Sequence, residues 1–440
     1  MNGDNRPKIL IISDATWSDD NNIGNTFSNL FRDWPKDKIG MIYARSDLPN
    51  TDICDEFFQI SESRLIKRFF NFNIKTGKNI KNISLKKIEK KNIEMDEVSG
   101  KNLYNFFLKY RWNIFLTARE ILWKVGNWKT KELDGFIDDF SPEIVLSLGC
   151  PNEYMNNLQQ YVITKSRAKS IIYFVDDVYS SKRFNLSPIF WFNRRLRRRE
   201  IRKTVSMCDL VYTIIDKQKK EYDDLFGVNS KILNKGGNFL NKLIIKKNLS
   251  TPIKIVYTGN ITSGRWRTLV KIGEALDKIN KNKIKAILEI YTKNELYGKI
   301  EKAFEKIASV EFKGGLNVEQ VKDIQNSADI LLHVESIKLK EKLETRLSFS
   351  TKIVDYFERG KCILAIGWAE SASIEYIKKN QAGFVIEDVS NIEVELGKLI
   401  NNPELIRDYG NKGRNCGFNH HQINKIKESM LHDFKNLLTH

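Results

Sequence analysis

Cysteine is scarce in this chain of 440 residues, and the few cysteines are scattered. There are five, with no CxxC pair among them: Cys54, Cys150, Cys208, Cys362 and Cys416. An odd number at wide spacing fits neither a disulfide framework nor a zinc site. We therefore expect five reduced thiols, as is usual for a cytosolic protein.

Long apolar runs are also missing. No stretch approaches the roughly 18–20 uninterrupted apolar residues that span a membrane. The N-terminal apolar run, residues 9–12, is too short for the core of a signal peptide. Yet 41% of the residues are hydrophobic and 11% are aromatic, which excludes a mostly disordered chain. The length suits two or three domains of roughly 100–200 residues each.

Positive charge is in excess, because 73 Lys and Arg against 55 Asp and Glu give a net charge of +18. Such a protein can bind nucleic acid, an anionic membrane surface or a phosphorylated substrate. The charge is densest over residues 182–203, which hold nine Lys or Arg, one acid and the aromatic run Phe190-Trp191-Phe192. This composition favours attachment to an anionic membrane surface through residues 189–203. A solvated helix face with an apolar seam is the alternative that the spacing leaves open.

Strand and helix patterns alternate along the chain. Most predicted strands, such as residues 8–13, 144–148 and 253–258, are continuously apolar, which is typical of parallel sheets covered on both faces. The alternation runs twice, with a polar join at about residues 241–252. The sequence therefore predicts an α/β protein of two doubly wound domains. In such sheets ligands bind beyond the carboxyl ends of the strands.

One candidate binding segment is Tyr257-Thr-Gly-Asn-Ile-Thr-Ser-Gly-Arg265, which predicts a strand, a glycine-bearing loop and a helix start. Glycine lets the backbone approach a ligand, a helix N-terminus offers N–H donors to an anion, and Arg265 adds a positive charge. An ordinary strand-to-helix turn with a surface arginine is the structural alternative for the same segment.

A second candidate segment lies within residues 347–364. Ser350, Thr351 and Lys352 stand at the start of a predicted helix, Asp355 lies one turn further, and Gly360 ends the helix. Two hydroxyls and an ammonium group at a helix start suit a diphosphate, and an acid one turn further can accept hydrogen bonds from ribose hydroxyls. A capped helix with a surface Lys–Asp pair is the structural alternative.

Taken in order, these two segments and Phe312-Lys-Gly-Gly-Leu316 between them resemble the donor-binding half of GT-B glycosyltransferases. They are most similar to the glycosyltransferase family 4-like enzymes that build bacterial surface polysaccharides. Asn234-Lys-Gly-Gly-Asn238 resembles the N-G-x-D loop that leads into that half. The motifs cover about residues 230–410, and over residues 1–230 the resemblance is architectural.

The resemblance implies two Rossmann-like domains that face each other across a cleft. Residues 1–245 would form the acceptor-side domain and residues 246–415 the nucleotide-sugar domain. A C-terminal helix, residues 416–440, would return to the first domain. GT-B enzymes generally need no metal, so neither a metal nor a cofactor is expected.

The resemblance also implies roles for particular residues. Asp355 would bind the ribose of the donor, and Gly24 would face the donor from the first domain. The residues that would hold the diphosphate are Arg265, Ser350, Thr351 and Lys352, and those against the base are Gly314 and Leu316. Gly259 and Asn260 of the first loop would also belong to the donor-binding residues. Many family members carry two glutamates separated by seven residues, where this chain has Leu347 and Asp355. This departure leaves the anomeric outcome open.

Asp176 and Asp177 follow directly after the predicted strand 170–175, at its carboxyl end. One of them, with Asp177 ranked first, is a candidate general base for an acceptor hydroxyl. A capping or turn role is the structural alternative.

The sequence thus predicts a cytoplasmic glycosyltransferase at the inner face of the cell membrane. It would move a sugar from a nucleotide diphosphate sugar to a hydroxyl of a glycan or lipid-linked acceptor in bacterial surface polysaccharide or glycoconjugate assembly. A GT-B sugar-nucleotide epimerase would use the same donor contacts without an acceptor. A basic nucleic-acid-binding protein would need stacking aromatics and a positive groove on a recognisable module, and the sequence offers one basic helix.

Overall fold

The computed structural model describes residues 5–19, 22–81, 113–180, 182, 185–239 and 249–439. The chain divides into two compact units. The first comprises Met1–Ser180, Phe184–Leu233 and Lys427–His440, and the second comprises Ser181–Arg183 and Asn234–Ile426. The domain boundary expected between residues 245 and 246 lies outside the described residues.

The first unit is built on an eight-stranded sheet in the order β4-β3-β2-β1-β5-β6-β7-β8. The strands are β1 (Ile9–Ser13), β2 (Ile39–Tyr43), β3 (Glu56–Ile60), β4 (Gly77–Lys81), β5 (Ile144–Leu148), β6 (Lys169–Phe174), β7 (Leu210–Thr213) and β8 (Lys231–Ile232). Neighbouring strands are parallel except β3 and β4, which are antiparallel. Every residue of β1, β2 and β5 is buried, as the apolar runs predict for a sheet covered on both faces.

Seven helices of the first unit cover this sheet within the described part of the chain. They are α1 (Asn22–Phe31), α2 (Glu62–Phe70), α3 (Asn113–Val125), α4 (Lys131–Phe140), α5 (Glu153–Ser166), α6 (Pro188–Ser206) and α7 (Asp216–Phe226). The apolar pattern of residues 103–125 predicts a helix, and the part of it within the described residues, from Asn113, is α3.

The second unit is built on a parallel six-stranded sheet in the order β11-β10-β9-β12-β13-β14. Its strands are β9 (Ile253–Thr258), β10 (Ala286–Tyr291), β11 (Val310–Gly314), β12 (Ile330–Val334), β13 (Cys362–Ile366) and β14 (Phe384–Ile386). The helices are α8 (Arg265–Ile279), α9 (Lys299–Phe304), α10 (Val318–Ser327), α11 (Leu339–Thr345), α12 (Lys352–Arg359), α13 (Ala372–Lys379), α14 (Ile392–Ile400) and α15 (Pro403–His420). A final helix, α16 (Ile423–Thr439), begins here and continues into the first unit.

The core of the second unit lies between its sheet and the helices that pack on it, each of which buries one apolar face. Leu269 and Ile272 of α8 and Leu396 of α14 pack in one apolar cluster with Ile255 of β9 and Leu332 of β12. All five side chains are fully buried. This packing fixes the start of α8 beside the carboxyl end of β9.

In each sheet the strand order changes direction once, and it does so between corresponding strands: β1 and β5 in the first sheet, β9 and β12 in the second. In the first sheet the chain starts at β1, builds outward through β2 to β4, and returns to place β5 on the other side of β1. The second sheet does the same with β9, β10, β11 and then β12. Such switch points leave a crevice at the carboxyl ends of the two central strands, where open α/β sheets bind ligands.

The C-terminal part of α16 is tied to the first unit. Asp433, which is buried, accepts a hydrogen bond of 2.8 Å from the hydroxyl of Tyr212 and pairs with Lys231 at 2.5 Å. Phe434 packs edge-on against Trp34, with ring centroids 6.0 Å apart. Among the described residues, no helix is both long and apolar enough to cross a membrane.

Candidate functional site

The candidate site lies in the second unit, at the switch point of its sheet. The carboxyl ends of β9 and β12 meet there, since these strands are neighbours. The loop after β9 leads into α8 at Arg265, and Lys352 begins α12. Helix N-termini offer unpaired N–H groups, and both first residues are cationic. The local arrangement is therefore suited to an anion.

Lys352 is half-buried, and its ammonium group lies at this site. Its Nζ donates a hydrogen bond of 2.9 Å to the carbonyl oxygen of Thr258 at the end of β9. Burial, followed by the charge of Arg265, lowers the pKa of Lys352 to about 8, although Asp355 and Glu335 act in the opposite direction. A cation with a perturbed pKa at a switch point indicates a functional site.

Gly259 makes room for that ammonium group. Its backbone has a φ of +139°, and a Cβ built on it would lie 1.8 Å from Nζ of Lys352. Both facts require glycine, because an L side chain would be strained and would displace the lysine. The close approach that the sequence predicts at Gly259 is thus an approach to Lys352.

Arg265 is held by an acid that the sequence analysis did not assign. Its Nη2 lies 3.5 Å from Oε2 of Glu335, which follows β12 directly and is buried. Nε2 of His333 lies 3.3 Å from the other carboxylate oxygen. Burial alone would raise the pKa of Glu335, but the contact with His333 and the charge of Arg265 outweigh it and lower the pKa. Glu335 therefore keeps Arg265 at the site as an ion pair.

The sequence carried one signal for Glu335, namely a charged residue directly after a strand whose residues are apolar except His333. Its partner could not be predicted, since Arg265 lies on a different element. The pair belongs to no larger metal-binding group: in the described part of the chain, no three His, Cys, Asp or Glu side chains are placed to hold a metal ion.

Ser350 and Thr351 lead into α12 as predicted for the second segment. Thr351 is the N-cap residue, and its side chain makes no capping hydrogen bond. The backbone N–H of Ser350 donates to Oγ of Ser373 at 3.1 Å. The two hydroxyl residues and Lys352 therefore lie together at the N-terminus of one helix.

Asp355 lies one turn into α12 and is paired with a lysine. Oδ1 of Asp355 is 2.6 Å from Nζ of Lys235, and the two side chains are 29% and 9% exposed. No role for Lys235 is predicted from its local sequence. Its proximity to Asp355 depends on a tertiary contact across 120 residues, which no local pattern reveals.

The remaining predicted donor residues lie on the loops at the same edge of the sheet. Asn260 is exposed after β9, and its side-chain oxygen accepts a hydrogen bond of 2.9 Å from the N–H of Thr262. Gly314 ends β11 with a φ of +79°, and Leu316 follows it, half-buried. Because β11 is two strands from β9, the end of β11 lies about 10 Å from the end of β9, on the side away from β12.

Gly24 lies in the first turn of α1, in the first unit. A Cβ on it would lie 2.0 Å from the carbonyl oxygen of Ser18. Glycine is therefore required there by the packing of the preceding loop against the helix.

Asp176 and Asp177 follow β6 in the first unit and differ in surroundings. Asp177 accepts hydrogen bonds of 2.8 Å from both the N–H and the hydroxyl of Ser180, and one of 3.1 Å from the hydroxyl of Tyr222. These bonds occupy both of its carboxylate oxygens and hold the turn. The side chain of Asp176 is exposed.

The lowered pKa of Lys352 predicts a pH-dependent stability. Between about pH 8 and the ordinary value of 10.5, the unfolded chain holds more protons at this lysine than the folded protein does. Lys352 therefore makes the free energy of unfolding rise with pH across that window. We therefore expect the free energy of unfolding of the wild-type protein, relative to that of Lys352→Met, to rise by about 2 kcal/mol between pH 8 and pH 10. Urea titrations at the two pH values measure this difference. Lys271→Met, at an exposed lysine of α8, should keep the wild-type slope. A constant difference between Lys352→Met and the wild type would contradict the burial of this charge.

Comparison with solved structures identifies the fold. The structure of Anabaena Alr3699/HepE in complex with UDP-glucose aligns with this chain with a TM-score of 0.60 and 9% sequence identity. The alignment covers 98% of this chain and 100% of Alr3699/HepE. WaaG, a glycosyltransferase involved in lipopolysaccharide biosynthesis, aligns over 96% of this chain and 98% of its own, with a TM-score of 0.55 and 10% identity.

TarM of S. aureus aligns with a TM-score of 0.50 and 15% identity, over 68% of this chain. This chain spans only 55% of the length of TarM. No protein-family model and no curated protein sequence matches the chain. At these identities the likeness concerns the fold, and it confirms the predicted class: the chain is an α/β protein with the GT-B fold of known glycosyltransferases.

Proposed function

We propose that the protein is a glycosyltransferase that uses a nucleoside diphosphate sugar. It transfers the sugar to a hydroxyl of a glycan or lipid-linked acceptor in the assembly of a bacterial surface polysaccharide or glycoconjugate. The observation that carries the proposal is the pair of cations, Arg265 and Lys352, at two helix starts beside the switch point of a GT-B fold.

The two cations suit the chemistry of this transfer. When the bond between the sugar and the diphosphate breaks, negative charge grows on the departing phosphate oxygens. Fixed positive groups and helix N–H donors stabilise that charge without having to reorganise. Lys352 and Arg265 are both fixed, the first by the carbonyl of Thr258 and the second by Glu335.

The other donor contacts follow from the position of each residue. Ser350, Thr351 and Asn260 present polar groups at the edge that carries the cations. Asp355 offers a carboxylate one turn along α12, which suits the ribose hydroxyls. Gly314 and Leu316 lie to one side, beyond β10, at a place for the base. Gly24 would contribute from the first unit, as the resemblance implies.

The acceptor hydroxyl must lose a proton when it attacks the sugar. We assign this proton to Asp176, because its side chain is exposed at the carboxyl end of β6, whereas Asp177 is half-buried and holds the turn to Ser180. Asp177 then positions the loop that carries Asp176. This reverses the order of the two residues expected from the sequence.

The helix α6 supports attachment to an anionic membrane, and its two faces differ. Ile201 and Val205 are buried, and Arg198 stacks on Tyr179 with its guanidinium 4.9 Å from the ring centroid. The outward face carries an apolar end, which includes Ile189 and Phe192 at 50% and 63% exposure. The exposed basic residues further along this face are Arg195, Arg199 and Lys203.

This division suits an interfacial helix. An apolar end can enter the boundary between headgroups and acyl chains, while a basic stripe binds anionic headgroups. The arginines that face inward, such as Arg198, would contribute little. We therefore place the protein on the cytoplasmic leaflet of the cell membrane, close to a lipid-linked acceptor.

The donor site is tested by removing each cation. Arg265→Ala and Lys352→Ala should each weaken binding of the preferred nucleoside diphosphate about tenfold or more, because each loses a charge-assisted contact. The preferred nucleotide comes from a thermal-shift screen of UDP, GDP, CMP and dTDP, and affinities from calorimetry. Lys271→Ala, which removes an exposed cation two turns along α8, is the matched control. Wild-type affinity in both site variants would refute the assignment.

Replacement of the two acids tests the acceptor side. Asp176→Asn should lower turnover roughly 10²-fold with nearly unchanged donor affinity, since it removes the group that accepts the proton. Asp177→Asn should lower turnover less, together with the melting temperature of the protein. The measurement is release of nucleoside diphosphate with and without acceptor. Normal turnover of Asp176→Asn would exclude it as the base, and conversion of the sugar nucleotide without acceptor would indicate an epimerase.

Membrane attachment is tested by cosedimentation with vesicles of phosphatidylcholine and phosphatidylglycerol. Replacing Arg195, Arg199 and Lys203 by Gln should weaken binding about 100-fold, at about 1 kcal/mol for each basic residue near the surface. The matched control replaces the exposed Lys271, Lys281 and Lys283 of the second unit by Gln, with the same loss of charge. Equal binding by the two triple variants, or no binding by the wild type at low salt, would contradict the assignment of this face.

A further inference from the structure

Lys235 is a buried lysine beside the proposed donor site, and its side chain reaches one acid of α12. Only 8% of the residue is exposed. Its Nζ lies 2.6 Å from Oδ1 of Asp355, the distance of a strong charge-assisted hydrogen bond. This contact engages one of the two carboxylate oxygens of Asp355.

The backbone that carries Lys235 is fixed from the opposite side by the segment after α15. The N–H of Gly237 donates to the carbonyl of His421 at 2.8 Å, and the N–H of Ile423 donates to the carbonyl of Gly237 at 3.1 Å. A Cβ on Gly236 would lie 2.5 Å from Cα of Ile423, so the two segments are in close contact. The loop therefore has little freedom to move Lys235.

His421 adds a buried polar contact to this loop. Its Nδ1 lies 3.4 Å from the carbonyl oxygen of Lys235, and its Nε2 lies 2.8 Å from the hydroxyl of Tyr376. Burial lowers the pKa of His421 to about 4, against a smaller opposing effect of the Lys235 carbonyl. The imidazole is consequently neutral at physiological pH, and its contacts on both sides are constant.

Lys235 also acts electrostatically on a second acid, Glu358. Glu358 lies one turn after Asp355 on α12, and its Oε2 would be 3.4 Å from a Cβ on Gly237. Burial raises the pKa of Glu358, and the charge of Arg359 is the largest effect that opposes this shift. The charge of Asp355 adds to the shift, and Lys235 opposes it less strongly than Arg359 does. Without Lys235, two carboxylates would stand one turn apart on the same helix with less positive charge between them.

We propose that Lys235 is a positioning residue for ribose recognition: it holds Oδ1 of Asp355 so that Oδ2 faces the ribose hydroxyls of the nucleotide. The proposal rests on the function proposed above, in which Asp355 binds the ribose. A merely structural salt bridge would tie the loop to α12 with no effect on which sugar of the nucleotide is accepted. The two roles differ in the response to removal of a ribose hydroxyl.

Calorimetry with UDP and with 2′-deoxy-UDP and 3′-deoxy-UDP separates them, with GDP and ADP and their deoxy forms as the alternative set. The wild-type protein should bind the ribonucleotide about tenfold more tightly than at least one deoxy form, the difference expected for one hydrogen bond to a charged group. Lys235→Met should bring this ratio close to one, because Asp355 is no longer oriented. Lys235→Arg, which keeps the cation, should retain most of the ratio.

Two further variants complete the test. Asp355→Asn should also bring the ratio close to one, and it provides the readout if Lys235→Met does not fold. Lys254→Met is the matched control, because Lys254 also forms an ion pair, with Glu289 at 2.9 Å. Lys254 lies near the start of β9, at the amino ends of the strands, whereas the candidate site lies at their carboxyl ends. This control should keep the wild-type ratio.

The outcomes are distinct. If Lys235→Met folds and binds all forms more weakly by one common factor, or binds as the wild type does, the positioning role is overturned. If the wild-type protein binds the ribonucleotide and its deoxy forms equally, the role of Asp355 is overturned as well. If the wild-type protein binds no nucleoside diphosphate, the proposed function itself fails.

Discussion

The position of the Lys352 ammonium group is the constraint on which the candidate site depends. An ammonium group is costly to remove from water, and this one has only the carbonyl of Thr258 as its hydrogen-bond acceptor among the contacts described above. The absence of a side chain at Gly259 makes its position possible. Glu335 lies close enough to lessen the repulsion between Lys352 and Arg265. A folded protein that holds two cations in this way has a site prepared for a ligand with more than one negative charge.

The second unit therefore carries an ordered set of charged groups at the carboxyl ends of its strands. Arg265 and Lys352 stand at two helix starts, and Asp355 lies one turn deeper with Lys235 beside it. A nucleoside diphosphate has the same order of groups, with phosphates at one end and ribose next. In the first unit, α6 has an exposed outward face, and the side chain of Asp176 is exposed. Each proposed contact is thus made by an element whose position the sheet fixes.

The sequence was sufficient where the signal is local. Continuous apolar runs predicted parallel strands, and glycine or hydroxyl residues before apolar helices predicted the starts of α8 and α12. The strands β3 and β4 escaped prediction. In β3 the apolar run is interrupted at Gln59, and Gly-Lys-Asn-Ile-Lys, which forms β4, contains a single apolar residue. Lys235 and Glu335 escaped because their roles depend on partners far along the chain. The faces of α6 could not be assigned either, since stacking of Arg198 on Tyr179 is a tertiary contact.

The most direct measurement is a crystal structure of the protein with its preferred nucleoside diphosphate at saturating concentration. The account predicts phosphate oxygens within about 3 Å of Nζ of Lys352 and of the guanidinium of Arg265. It also predicts a ribose hydroxyl within hydrogen-bond distance of Oδ2 of Asp355. A nucleotide whose phosphates contact neither cation, or that binds away from the carboxyl ends of β9 and β12, would contradict it.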